Sequence, residues 1–120
     1  MMETVTDINQ AISRGEGDPD FPHAPMDWSR GDAERIAQEE GIGLGADHWD
    51  TMRALQEYFS RHDAPHVREL HDALDEKFHA KGGIKYLYTL FPGGPVAQGC
   101  RVAGLQPPAG SKDASFGSVQ

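Results

Sequence analysis

The sequence predicts a mainly α-helical domain of about five short helices at crossing angles, with a helix-turn-helix-like centre. Two observations lead there. Apolar residues recur at three- and four-residue spacing between residues 29 and 91, which is the period of a helix face rather than of a strand. Each run is also bounded by Gly, Pro or a capping residue, which keeps the elements short. The flanks differ, being polar and rich in Gly and Pro. The chain therefore divides into a leader or β-hairpin over residues 1–28, a helical domain over 29–100 and a flexible C-terminal arm over 101–120.

In the leader, Gly15, Gly17, Asp18, Pro19, Asp20, Pro22 and Pro25 break any long helix. A small β-hairpin around Ile8–Ile12 with a return near Phe21 is one expectation; a disordered leader is the other. The first helix begins at Ser29, where Asp32 three residues on completes a capping-box variant. It runs through Ala33, Ile36 and Ala37 to Glu40, and Gly41 suits the residue that stops it. The second spans about Ala46 to Arg61, with Trp49, Met52, Leu55 and Phe59 as its apolar stripe. Pro65 suits the first turn of a third helix, whose buried face is Val67, Leu70, Leu74 and Phe78 and whose end is Gly82-Gly83. A fourth fits Ile84 to Leu90, packing through Ile84, Leu87, Tyr88 and Phe91. After the Pro92–Pro95 turn, Pro95 opens a last short helix reaching toward Cys100. Beyond Cys100, Gly104, Pro107, Pro108, Gly110 and Gly117 cannot sustain a regular helix.

With 120 residues, the chain has length for a single modest core. Its mean hydropathy is −0.60, and no stretch approaches the roughly 18–20 apolar residues of a membrane span. Met1–Gln10 lacks the basic-then-apolar pattern of a secretory signal. A single cysteine forbids an intrachain disulfide and fits a cytoplasmic, reducing setting. The net charge of −8 argues against a duplex-DNA binder, which usually carries a basic face. Asp72, Asp75 and Glu76 in the would-be recognition helix make DNA contact unattractive as well.

Cys100 is the first candidate for chemistry. A lone cysteine is usually a small buried hydrophobe, but the junction of a helix with a Gly/Pro-rich arm would make this one reachable. Arg101 beside it favours the thiolate, whereas the carbonyl end of a helix opposes it. On a continuous helix His71, Asp75 and His79 would share a face suited to a metal, although a solvated face is the plainer reading and no metal site is expected. His62 and His66 lie four apart, and His48 beside Trp49 reads as structural. No HExxH, CxxC or nucleotide-binding glycine pattern is present, so no cofactor is expected. Gly41-Ile42-Gly43-Leu44-Gly45 joins two helices and lacks the strand that a dinucleotide site requires. Tyr86, Tyr88 and Phe91 read as core rather than as a base-stacking platform.

The C-terminal third carries a long pattern: Lys85-Tyr86-Leu87-Tyr88-Thr89-Leu90-Phe91-Pro92-Gly93-Gly94-Pro95, then Gln98, then Cys100-Arg101-Val102-Ala103-Gly104-Leu105. Upstream lie Glu39-Glu40-Gly41-Ile42 and His48-Trp49. Over roughly residues 28–111 the chain resembles the DsrC/TusE family of sulfur-relay proteins. The resemblance implies a DsrC-like helical fold with a mobile arm. Full DsrC-type members carry two arm cysteines, one at the position of Cys100 and a later one that is the main persulfide carrier; TusE-type members keep only the later one. That later position is Ser111 here, and a hydroxyl forms neither a persulfide nor a disulfide. Gly93 also replaces the family's basic residue in the LFP-x-GP turn.

The resemblance thus implies a carrier rather than an autonomous enzyme, at most a sulfurtransferase component, in dissimilatory sulfur metabolism or tRNA thiolation. Cys100 would be its persulfide or mixed-disulfide site and could join another protein in an intermolecular disulfide. Lys85, Arg101 and Gly104 are partner or arm positions, and Ser111 marks the missing cysteine. Partners would be other sulfur-trafficking proteins, namely sulfurtransferases, sulfite-reductase-like proteins or tRNA-thiolation components, with no membrane and nucleic acid disfavoured. A non-catalytic regulatory or partner-binding paralogue is the alternative, and a DNA-binding regulator the second. No acid/base pair suited to independent catalysis is evident.

Overall fold

A computed structural model describes residues 18–110. The expected Ile8–Ile12 hairpin strand, Ser111 and the remainder of the arm lie outside the described residues. Within them are five α-helices and no strand: α1 (Arg30–Glu40), α2 (Ala46–Arg61), α3 (Val67–Lys77), α4 (Gly83–Leu90) and α5 (Ala97–Val102), with a 3-10 turn at His79–Lys81. Among the described residues no helix is long and apolar enough to cross a membrane.

The chain enters as a series of turns. Phe21 N–H donates to Asp18 O, Ala24 N–H to Phe21 O and Trp28 N–H to Pro25 O. Phe21 therefore stands in a turn and not in the return strand of a hairpin. Its ring is buried at 2% exposure, edge-on to Trp28 and Trp49 and covered by the Arg30 and Arg53 guanidiniums. Residues 18–28 thus contribute two aromatic rings to the core, despite a polar composition.

Ser29 caps α1: its hydroxyl accepts from Asp32 N–H, and the Asp32 carboxylate accepts from Ser29 N–H at 3.0 Å. Gly41, at φ 77°, ends the helix in the left-handed region, and Ile42 N–H returns to Ala37 O. At the start of α2, His48 Nδ1 accepts from Gly45 N–H at 3.0 Å while Nε2 faces Leu90 O at 3.0 Å. A carbonyl only accepts, so Nε2 carries the hydrogen, and the buried ring joins α2 to the end of α4. Pro65 falls one residue before the His66 cap of α3, not in its first turn. Glu69 closes that cap by accepting from His66 N–H at 3.0 Å. Phe78 ends α3, and Gly82 (φ 122°) and Gly83 (φ 67°) turn the chain into α4. Asp75 caps α4 by accepting Ile84 N–H at 2.8 Å.

Among the described residues two apolar clusters form the core. One gathers Phe21, Trp28, Ala33, Ala37, Met52 and Phe91 with Val102 and Ala103. The other gathers Leu55, Leu70, Leu74, Phe78 and Leu87 with Val96 and Cys100. The segment around α5 therefore serves both clusters. At Gly99 a Cβ would meet Leu55 Cδ1 at 2.9 Å, so glycine lets α5 lie close on α2. The change in composition after Cys100 falls inside α5, because Val102 and Ala103 are fully buried before Gly104 ends the helix.

Candidate functional site

Cys100 lies in the middle of α5, on the face turned into the second cluster, with no solvent exposure. Its N–H donates to Val96 O at 2.9 Å, and its carbonyl accepts from Leu105 N–H at 2.8 Å. This overturns the expectation of a reachable thiol. The helix does not stop at Cys100 but runs on to Val102, so the side chain is enclosed by apolar neighbours rather than standing at a frayed end. Burial pushes the thiol up to about 12, and the nearby Arg101 charge offsets only a little of that.

Arg101 is next in sequence but about 100° further round the helix. There its guanidinium makes a two-pronged contact with Glu40, Nε to Oε2 at 2.9 Å and Nη2 to Oε1 at 2.7 Å. Gln98 Nε2 donates to the same carboxylate at 2.8 Å, while Gln98 Oε1 accepts from Gly93 N–H at 2.8 Å. The hydrogen bonds from Arg101 hold the Glu40 carboxyl below its ordinary range, against a smaller opposing effect of burial. Arg101 thus ties α5 to the end of α1, and Gln98 ties it to the Pro92–Pro95 turn. The expected activation of Cys100 by Arg101 is correspondingly weak.

Gly104 follows α5 at φ 79°, against the Trp28 ring. Lys85 stands apart from the thiol on the solvent-facing side of α4, with Tyr88 one turn on and 46% exposed. The structure therefore brings Cys100, Arg101 and Gly104 together around α5 and leaves Lys85 on a separate face. His79 leaves the helix that was to align it with His71, and Asp75 is engaged at Ile84 N–H. Among the described residues no group of three His, Cys, Asp or Glu side chains is placed to hold a metal ion.

Four residues around α5 were not singled out as site residues from sequence: Trp28, Glu40, Gln56 and Gln98. Glu40 and Gln98 stood inside the quoted pattern without an assigned role. Trp28 had a signal, since an aromatic just before a helix cap often packs on the fourth helical residue, here Ala33 in the same cluster. Gln56 is 1% exposed on the inner face of α2; its only signal was a polar residue beside an apolar stripe.

Comparison with known proteins bears on this arrangement. A family model described as DsrC-like protein matches residues 16–111. Sulfurtransferase TusE of Salmonella typhimurium is 42% identical over 83 residues, which cover 68% of this chain and 76% of that protein. Sulfurtransferase TusE of Escherichia coli is 40% identical over the same shares. The NMR structure of Allochromatium vinosum DsrC superposes with a TM-score of 0.61 at 44% identity, covering 71% of this chain and 78% of that one. The crystal structure of the oxidized gamma-subunit of the dissimilatory sulfite reductase (DsrC) from Archaeoglobus fulgidus gives 0.59 at 31% identity, covering 79% and 89%.

Proposed function

The chain belongs to the DsrC-like protein family, and on that premise we propose that it serves a sulfur relay, in tRNA thiolation or in sulfur metabolism, with other sulfur-trafficking proteins as partners in the cytoplasm. The observation that carries this reading is the Lys85–Leu105 segment. It folds as α4, a turn and α5, and carries the chain's only thiol in α5.

In the carrier reading, sulfur travels on Cys100. Its thiolate attacks the outer sulfur of a partner's persulfide; the partner's S–S bond breaks, the partner leaves as a thiolate, and Cys100 holds the new persulfide. No oxidant enters, because the outer sulfur moves with its oxidation state unchanged. The enclosed thiol makes that transfer wait on an opening of α5. Lys85 and Tyr88, on the outer face of α4, offer a cation and an apolar ring to a docking partner. Burial of Cys100 favours a second reading, in which the chain docks on relay partners and carries no sulfur itself.

Incubation with a polysulfide donor and with a persulfidated sulfurtransferase, followed by intact-mass measurement, separates the two. The carrier reading expects a gain of one sulfur atom that dithiothreitol removes and Cys100→Ser abolishes. Absence of any gain with either donor, together with partner capture unchanged in Cys100→Ser, would establish the docking reading instead.

A further inference from the structure

A helix leaves its last carbonyls without partners inside the helix. At the end of α5 two of these are taken by side chains from remote parts of the chain. The Trp28 indole N–H donates to Val102 O at 2.8 Å, and Gln56 Nε2 donates to Ala103 O at 2.9 Å, both buried. Gly104 presses on the same indole, where a Cβ would meet Trp28 Cδ1 at 2.6 Å. The turn before α1, the middle of α2 and the chain leaving α5 thus converge on the end of the helix that carries the thiol.

A helix of six residues is far too short to persist by itself in water; what surrounds α5 holds it. Its first turn is anchored by Gln98 to Gly93, and Arg101 by Glu40. Its last turn depends on Trp28 and Gln56. That second anchor has a built-in weakness. Gln56 Oε1 is buried and meets no donor among the described residues, and an orphaned amide carbonyl raises the free energy of the closed state.

We propose that Trp28 and Gln56 are positioning residues forming a latch on the C-terminal end of α5: closed, it shuts Cys100 in the core, and its release unwinds the last turn and opens the thiol to a partner. Use of the latch in sulfur transfer rests on the relay reading above, whereas its existence does not.

The test compares iodoacetamide alkylation of Cys100 with urea unfolding followed by circular dichroism, in the full chain. Trp28→Phe keeps an aromatic ring and removes the donor. Its alkylation rate is expected to rise roughly five- to tenfold beyond what its change in unfolding equilibrium accounts for. Gln56→Leu removes the orphaned carbonyl but leaves Ala103 O without its donor; it is expected to hold the urea midpoint near that of wild type and still alkylate faster. Glu69→Ala, which uncaps α3 and touches neither anchor, is expected to change alkylation only in proportion to its unfolding equilibrium. Alkylation that follows global unfolding in every variant, or that is equal in wild type and both latch variants, overturns the latch. Latch variants that alkylate faster yet gain no sulfur from either donor uphold the latch and remove the carrier reading.

Discussion

Cys100 and Arg101 are adjacent in sequence and face different surroundings, which is what a helix does to neighbours. One side chain enters a cluster of Leu, Phe and Val; the other reaches a carboxylate. The raised Cys100 value has a definite consequence for stability. Between the ordinary thiol value of 9.0 and about 12, the unfolded chain has lost the proton and the native one keeps it. The native state thus binds more protons, and stability falls as pH rises. Unfolding free energies from urea titrations between pH 8 and 10.5 should fall with a slope of up to about 1.4 kcal/mol per pH unit above pH 9, and Cys100→Ala should lack that component. Glu40 behaves oppositely. Its lowered value means that its contribution is present above 4.5 and is lost as pH falls through the folded value. Glu40→Gln should cost about 1–2 kcal/mol at pH 7, and the gap from wild type should close when unfolding is measured at progressively lower pH.

At the scale of elements, caps and turns bound each of the five described helices. Ser29→Ala removes a hydroxyl that accepts from Asp32 N–H and should cost about 1 kcal/mol, read as a fall in Tm of roughly 4–8 °C. Gly83 is more demanding, because its φ of 67° is costly for other residues and a Cβ there would collide with Asp75 Oδ1. Gly83→Ala should therefore disturb the cap that Asp75 places on α4 and lower the thermal midpoint more than Ser29→Ala does. Much at this scale was legible in the sequence: the spans of α1 and α2, the capping box at Ser29, the stop at Gly41 and the break at Gly82-Gly83. These are local matters, decided within a turn or two of chain. The misplacement of Pro65 relative to the α3 cap is also local, since a proline is equally at home just outside the helix and just inside it. The extent of α5 was less legible. A helix of that length is held by contacts with Trp28, Glu40 and Gln56, and the nearest of these lies more than forty residues away in the chain.

Across the whole molecule, charge is unevenly placed. The acidic residues lie almost entirely before residue 77, and after Glu76 only Asp113 remains, whereas Lys77, Lys81, Lys85, Arg101 and Lys112 follow. Lys81 to Asp47, at 2.8 Å, and Arg101 to Glu40, at 2.7 Å, join the later cationic segment to the earlier acidic one. The two apolar clusters are likewise not independent, since Leu90 and Leu105 pack against both. Global unfolding in urea should therefore be one transition. Fluorescence of Trp28 and Trp49, which report the first cluster, should coincide with far-UV circular dichroism; two separated midpoints would mean that the clusters unfold separately.

The sequence by itself determined the helical class, the ends of most helices, the lone thiol and the long pattern that marks the family. All of these reside in local periodicity, in residues with special backbone preferences, or in the identity of the residues themselves. Only the tertiary structure decided how Cys100 stands. The same helix-and-arm sequence would suit an exposed thiol with an active neighbour or an enclosed one with its neighbour engaged elsewhere. Which of them is realised depends on burial, and burial is set by side chains such as Trp28, Glu40 and Gln56 that folding brings to α5 from far along the chain.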